Sequence, residues 1–177
     1  LNKNKIYKQL LAMGLSGSLA LGGAYLTAPS EGVVLGTYRD PVGIVTSCYG
    51  HTGPELRVGM KFTEEQCVEQ LGKDLIKHDK QLQRVVKVDY LSPYMHAALV
   101  DFTFNVGIGN VSSSTLLRKL NNKEYEASCE QLTRWIYARQ NGVMIVLKGL
   151  VIRRTNEYQW CMGNPPKEIK EIYEASR

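Results

Sequence analysis

From Gln9 to Ser30 the chain carries no charged side chain, and the first charge after that run is Glu31. An uncharged run of this length is enough to cross the hydrocarbon core of a bilayer, about 30 Å thick, as a helix. Lys3, Lys5 and Lys8 precede it, so the expected orientation is type II, with the N-terminus in the cytoplasm and the rest exported through the Sec translocon. Its apolarity is marginal. Leu10, Leu11, Leu15, Leu19, Leu21 and Leu26 together favour insertion by on the order of 2 to 4 kcal/mol. Gly14, Ser16, Gly17, Ser18, Gly22, Gly23 and Thr27 oppose them. Residues 10–28 therefore read as a signal-anchor helix that is weak enough to leave the membrane. Two other readings stay open. One is a cleaved signal peptide with Gly22-Gly23-Ala24 as the small-residue site, since Pro29 disfavours cleavage after Ala28. The other is a buried Ala/Gly/Leu helix of a globular core, which the lysine flank disfavours. The chain opens on Leu1 rather than a methionine, which leaves room for residues upstream.

The 177 residues allow one compact domain with a short appendage. The net charge is +5, but residues 1–30 hold three lysines and no acid, so the remainder carries 5 − 3 = +2. With no basic and aromatic stripe, nucleic-acid binding is not expected. Cys48, Cys67, Cys129 and Cys161 are even in number and lack Cys-x2-Cys spacing, which argues against a metal site and for two disulfides in an oxidising compartment. Three connectivities are open, as is a set of four free buried thiols. Chain order favours Cys48 with Cys67 and Cys129 with Cys161. No cysteine lies in residues 1–30, which excludes a switch by thiol attack from the anchor.

Val33–Tyr38 and Val42–Tyr49 are β-branched runs punctuated by Gly36, Asp40-Pro41, Gly43 and Gly50, the pattern of a hairpin or small antiparallel sheet with Asp40 at a turn. From Thr63 the pattern turns helical. Thr63 and Gln66 form a capping box, and Cys67, Leu71, Leu75 and Leu82 recur at helical spacing. Ser92-Pro93 opens a helix to about Phe104 that Asn105 and Gly107 end. Further helices are expected at Ser114–Leu120, Lys123–Tyr137 and Leu150–Cys161, with one more exposed helix after Asn164-Pro165-Pro166. The fold class is α+β, a small antiparallel β lobe followed by a mostly helical lobe. The expected division is an anchor at 1–30, a catalytic domain at 31–162 and a charged C-terminal extension at 163–177.

Glu31-x8-Asp40-x5-Thr46 suits glycosidic bond cleavage, which needs a proton for the leaving oxygen and a group that activates water. A partly buried Glu31 would supply the proton, Asp40 would polarise the water, and the Thr46 hydroxyl would hold it. Each residue also has an ordinary reading: a solvated charge, a turn former before Pro41, a strand residue. The surrounding sequence separates these readings. Pro41-Val42-Gly43-Ile44-Val45-Thr46-Ser47-Cys48-Tyr49-Gly50-His51-Thr52-Gly53 resembles the hairpin of phage lysozymes of the T4-lysozyme-like glycosidase family, and the Glu-x8-Asp-x5-Thr spacing matches that family's catalytic residues. Phe102-Thr103-Phe104-Asn105-Val106-Gly107, Ser114–Asn121 and Gly149-Leu150-Val151-x-Arg153-Arg154 resemble its helical lobe. With the weak N-terminal span, the chain is most similar to the signal-anchor-release endolysins whose anchor lacks a cysteine, over residues 1 to about 162.

The resemblance implies a two-lobed lysozyme-like fold and a monomeric, cofactor-free muramidase. It would cut the β-1,4 bond between N-acetylmuramic acid and N-acetylglucosamine in bacterial peptidoglycan, with inversion. It implies Glu31 as general acid, Asp40 as the group that positions or deprotonates water, and Thr46 as its support. The enzyme would sit in the host inner membrane, be released to the periplasm and lyse the host cell. An exported lysozyme with a cleaved signal, a non-catalytic wall-binding module and a membrane-disrupting protein are the alternatives. Two positions depart from the pattern. Val45 stands where many relatives carry tryptophan, and Arg139–Leu147 replaces a shorter basic loop with an apolar one over 142–147, read as a lip of the cleft or a surface patch. Among other polar residues, His51 is expected to pair with Asp74. Asn105, with Gly107, is expected at the substrate, and Arg153 or Arg154 at Glu31 with the other facing solvent.

Overall fold

A computed structural model describes residues 2–176; Leu1 and Arg177 lie outside the described residues. The uncharged segment does not wind as one helix. α1 (Lys3–Ala12) is capped by Asn2 and stops before Gly14, whose φ of +86° is a left-handed conformation that glycine adopts without strain. Ser16 then caps α2 (Gly17–Gly22) by accepting from Leu19 N, and the winding continues through a π turn at Gly23–Thr27 into α3 (Ala28–Glu31). Among the described residues no helix is long and apolar enough to cross a membrane. In this state the segment is the buried core helix that the lysine flank had disfavoured. Leu10, Leu15, Leu19, Leu21 and Leu26 are at most 5% exposed. They share one core with Leu71, Leu75, Leu99 and Phe102.

The glycines of the segment allow that burial. A Cβ at Gly22 would lie 3.1 Å from the Ala97 Cβ and 3.3 Å from its backbone, and one at Gly23 would lie 2.5 Å from Leu75 Cδ1. The residues that weaken the segment as a span are thus those that let it pack in the folded lobe. Polar contacts fasten the same elements. Ser18 Oγ lies 2.8 Å from His96 Nδ1, and His96 Nε2 lies 2.8 Å from Asp79 Oδ1. The carboxylate requires N–H on Nε2, which leaves Nδ1 to accept from the Ser18 hydroxyl. Tyr25 donates to Asn4 Oδ1, and Tyr7 donates to Ser176 Oγ.

The β lobe is a three-stranded antiparallel sheet of β1 (Val34–Arg39), β2 (Val45–Cys48) and β3 (His51–Thr52) in that order, with Tyr38 opposite Thr46. α4 (Glu64–Gln83) starts at the Thr63 capping box and joins the two lobes. α5 (Pro93–Val106), capped by Ser92 and ended by Gly107 at φ +80°, runs through the centre of the helical lobe. α6 (Ile108–Ser112), α7 (Thr115–Asn121) and α8 (Tyr125–Glu130) follow. α9 (Lys148–Cys161) lies against α5. The disulfides are Cys48–Cys67 and Cys129–Cys161, the pairing that chain order favours. Loops of 19 and 32 residues make each worth roughly 3 to 4 kcal/mol against the unfolded chain.

Two expectations are corrected. The helix expected over Lys123–Tyr137 ends at Glu130, a 3-10 turn covers Gln131–Arg134, and a hairpin follows. Its strands are β4 (Tyr137–Gln140) and β5 (Val143–Val146), and the apolar loop is thus its second strand. Asn141 and Gly142 both have positive φ, 49° and 81°, as a two-residue hairpin turn of matching twist requires. The C-terminal helix α10 (Lys167–Ala175) is not simply exposed. Ile169 is buried in the core, and the Tyr173 ring lies edge-on to Tyr94, beside Gly17.

Candidate active site

Glu31 is the last residue of α3, and Gly32 at φ +70° turns the chain away into β1. Its position is set from the N-terminal side, by the helical run from Gly17 that is packed on α5. The side chain is 23% exposed, and Arg153 Nη1 donates to Oε1 at 2.6 Å. Oε2 faces the β2–β3 turn, where a Cβ on Gly50 would come within 3.6 Å of it. Glu31, Asn105 and Arg153 line one cleft of about 640 Å³ together with Tyr25, Leu26 and Lys148.

Arg153 is held in turn by α5. Its Nη2 and Nε donate to Asp101 Oδ1 and Oδ2 at 2.7 and 3.1 Å. Burial alone would raise the Asp101 pKa, but the charge and hydrogen bonds of Arg153 outweigh it and hold Asp101 below the usual carboxylate range. Burial disfavours the Arg153 charge, yet Asp101 and then Glu31 raise its pKa further. Arg154 is buried too, 1% exposed, so neither arginine faces solvent as one was expected to. Its Nη2 donates to Asn105 Oδ1, and its Nη1 lies 2.9 Å from Glu157 Oε2 as a charge contact without hydrogen-bond alignment. Glu157 is fully buried. Burial and then the Asp101 charge push its pKa well above the usual range, against the pull of both arginines.

Asp40 sits at the β1–β2 turn with its Oδ1 accepting from Val42 N at 3.0 Å and Ile44 N at 2.8 Å. Thr46 is 4% exposed, and its hydroxyl donates to Ile44 O at 3.2 Å. Asp40 and Thr46 thus lie in the hairpin rather than among the residues lining the Arg153 cleft. Tyr38 connects the two groups. It is the cross-strand partner of Thr46, and burial, then the charges of Glu31 and Asp40, raise its pKa. Tyr38, Asp101 and Glu157 were not singled out from sequence. Their signals were only spacings: Tyr38 two residues before Asp40, Asp101 one helical turn before Asn105, and Glu157 one turn after Arg153.

Asn105 lies exposed at the cleft with its oxygen committed to Arg154, so its amide nitrogen is what a ligand would meet. Gly107 does not line the cleft; its positive φ ends α5. His51 does bond Asp74, with Nδ1 at 2.8 Å, and its Nε2 meets Glu55 at 2.7 Å. Burial works against the His51 charge, but the hydrogen bonds that its ring donates to Glu55 and Asp74 outweigh it and raise the pKa. A raised pKa means that the stabilisation is full below about 6.5, the unfolded value, and disappears as pH rises through the folded value. The Asp74 contact, screened in part by solvent, is worth about 1 kcal/mol. His51→Asn should therefore lower the Tm by roughly 2 to 4 °C at pH 5, with the deficit closing above neutral pH in paired thermal melts.

The phage lysozyme family model matches residues 28–157. A SAR-endolysin of bacteriophage PS119 is 40% identical over 151 residues, covering 82% of this chain and 87% of the relative. One of enterobacteria phage P21 is 38% identical over 151 residues, covering 82% and 88%. Among solved structures, the active form of the P1 phage endolysin Lyz superposes with a TM-score of 0.77 over 92% of this chain and 94% of that one, at 20% identity, a likeness of fold. By sequence and by architecture, the chain belongs to the phage lysozyme family.

Proposed function

We propose that the chain is a phage endolysin, a muramidase that hydrolyses the β-1,4 bond between N-acetylmuramic acid and N-acetylglucosamine with inversion. It is inactive while tethered to the host inner membrane and is switched on by release to the periplasm, where it lyses the cell as a monomer. One observation carries this reading: Glu31 ends the helical run built by the uncharged segment, with Arg153 on its carboxyl. Glu31 donates the proton to the leaving oxygen from Oε2, the oxygen that Arg153 leaves free. Asp40 has one oxygen tied to the turn amides and the other available to take a proton from water. The Thr46 hydroxyl, donating to Ile44 O, keeps lone pairs that accept from that water and hold it in line. Attack from the face opposite the leaving group inverts the anomeric carbon.

Withdrawal of residues 10–28 into a bilayer would remove Leu10, Leu15, Leu19, Leu21 and Leu26 from the core and carry Glu31 away from Arg153. Cleavage after Ala24 would remove four of those leucines for good, which favours an uncleaved segment. Digestion of purified sacculi tests the chemistry. New reducing ends at N-acetylmuramic acid, first as the α-anomer by NMR, are expected. Reducing N-acetylglucosamine ends or 1,6-anhydro products would overturn the assignment.

A further inference from the structure

The β4–β5 hairpin presents one outward face that the fold leaves uncovered. The pairs Tyr137–Val146 and Arg139–Met144 are opposite in register and so share a face. Tyr137, Met144 and Val146 are 54%, 53% and 51% exposed. The surface continues onto α9 through Ile152, also 54% exposed. Val143, on the opposite face, is 62% exposed as well, but the charge is of one sign. From Gln131 to Asn156 there is no acidic residue, while Arg134, Arg139 and Lys148 are exposed. The base of this hairpin lies beside the end of the N-terminal helical run, since Leu147, Lys148 and Ile152 line the same cleft as Leu26, Pro29 and Ser30.

We propose that the outer face of the β4–β5 hairpin and the first turns of α9 form a docking surface for an anionic lipid bilayer. Aliphatic side chains with an interfacial tyrosine and flanking cations fit the apolar and anionic layers of a membrane surface. Two copies of the chain would bring Arg139 and Lys148 against like charges. A glycan strand offers mainly hydroxyls and amides, which match a row of aliphatic groups poorly.

Co-sedimentation of the full-length released protein with phosphatidylglycerol-containing vesicles tests this. Wild type is expected to bind them at least tenfold more tightly than phosphatidylcholine vesicles, with loss at high salt. Met144→Ser/Val146→Ser is expected to weaken binding by at least tenfold, with Met144→Asp/Val146→Asp weaker still. Both variants should keep the wild-type Tm and activity on purified sacculi. Both leave residues 1–30 intact. Binding that persists in them would assign membrane affinity to the N-terminal segment and overturn the docking surface, while leaving the tether reading in place. Failure of wild type to bind would overturn it as well. So would activity on sacculi that falls while vesicle binding is unchanged, or a wild-type dimer that both variants abolish.

Discussion

Replacing Glu31 with Gln is expected to lower kcat for peptidoglycan hydrolysis by roughly a thousandfold, the scale of a lost general acid. KM should move little, because the amide keeps an oxygen for Arg153 and nearly the same shape. The fold should survive. Asp101 still holds Arg153 through two hydrogen bonds, and Arg154 keeps its contacts with Asn105 and Glu157. A melt within a few degrees of wild type, together with turnover near zero, is the expected pair of measurements. Turnover within tenfold of wild type would remove Glu31 from the mechanism.

The sequence was most legible where one residue type has one physical use. The Thr63 capping box, the Ser92-Pro93 start and the Cys48–Cys67 and Cys129–Cys161 pairs are local features that tertiary packing had no reason to override. The His51–Asp74 contact was legible because a strand end and the next helix are close in chain order. The hairpin at 137–146 was missed although Asn141-Gly142 between apolar runs is a strong turn signal. Helical spacing carried past Glu130 to Tyr137 covers only the start of β4, and Arg139–Leu147 reads as an apolar loop. The buried cluster was opaque for another reason. Asp101 and Glu157 look like ordinary helix-surface acids until packing brings α5 and α9 together; only then does Asp101 meet Arg153, and Glu157, one turn from both arginines on α9, become buried. The N-terminal segment was ambiguous in kind. Its composition satisfies a weak membrane span and a close-packed core helix at once, because glycine and leucine serve both.

Protein held in the membrane fraction of energised cells is expected to be at least a hundredfold less active, per molecule, than the same chain after release. The magnitudes explain why one chain can do both. The leucines of the segment favour insertion by only on the order of 2 to 4 kcal/mol, from which its glycines and hydroxyls subtract, whereas the potential opposes outward passage of Lys3, Lys5 and Lys8 by roughly 7 kcal/mol per 100 mV. In the folded lobe, burial of five leucines returns on the order of 10 kcal/mol before the cost of ordering the chain. Collapse of the potential therefore tips the balance toward release. Mutations that test this must strengthen the span without spoiling the folded core. Leucine at Gly22 would strike Ala97 and leucine at Gly17 would strike Tyr173, so a dead enzyme there would not separate trapping from misfolding. Ala12 and Ser16 are exposed in the folded lobe. Ala12→Leu/Ser16→Leu should add on the order of 1 kcal/mol to insertion and raise the membrane-bound fraction about fivefold, at the expense of the Ser16 cap, about 1 kcal/mol. Lysis should be delayed in cells, while the purified, released variant cleaves sacculi at the wild-type rate. Equal specific activity in membrane and soluble fractions of the wild type would refute control by the tether, and Glu31 would then owe its position to the fold alone.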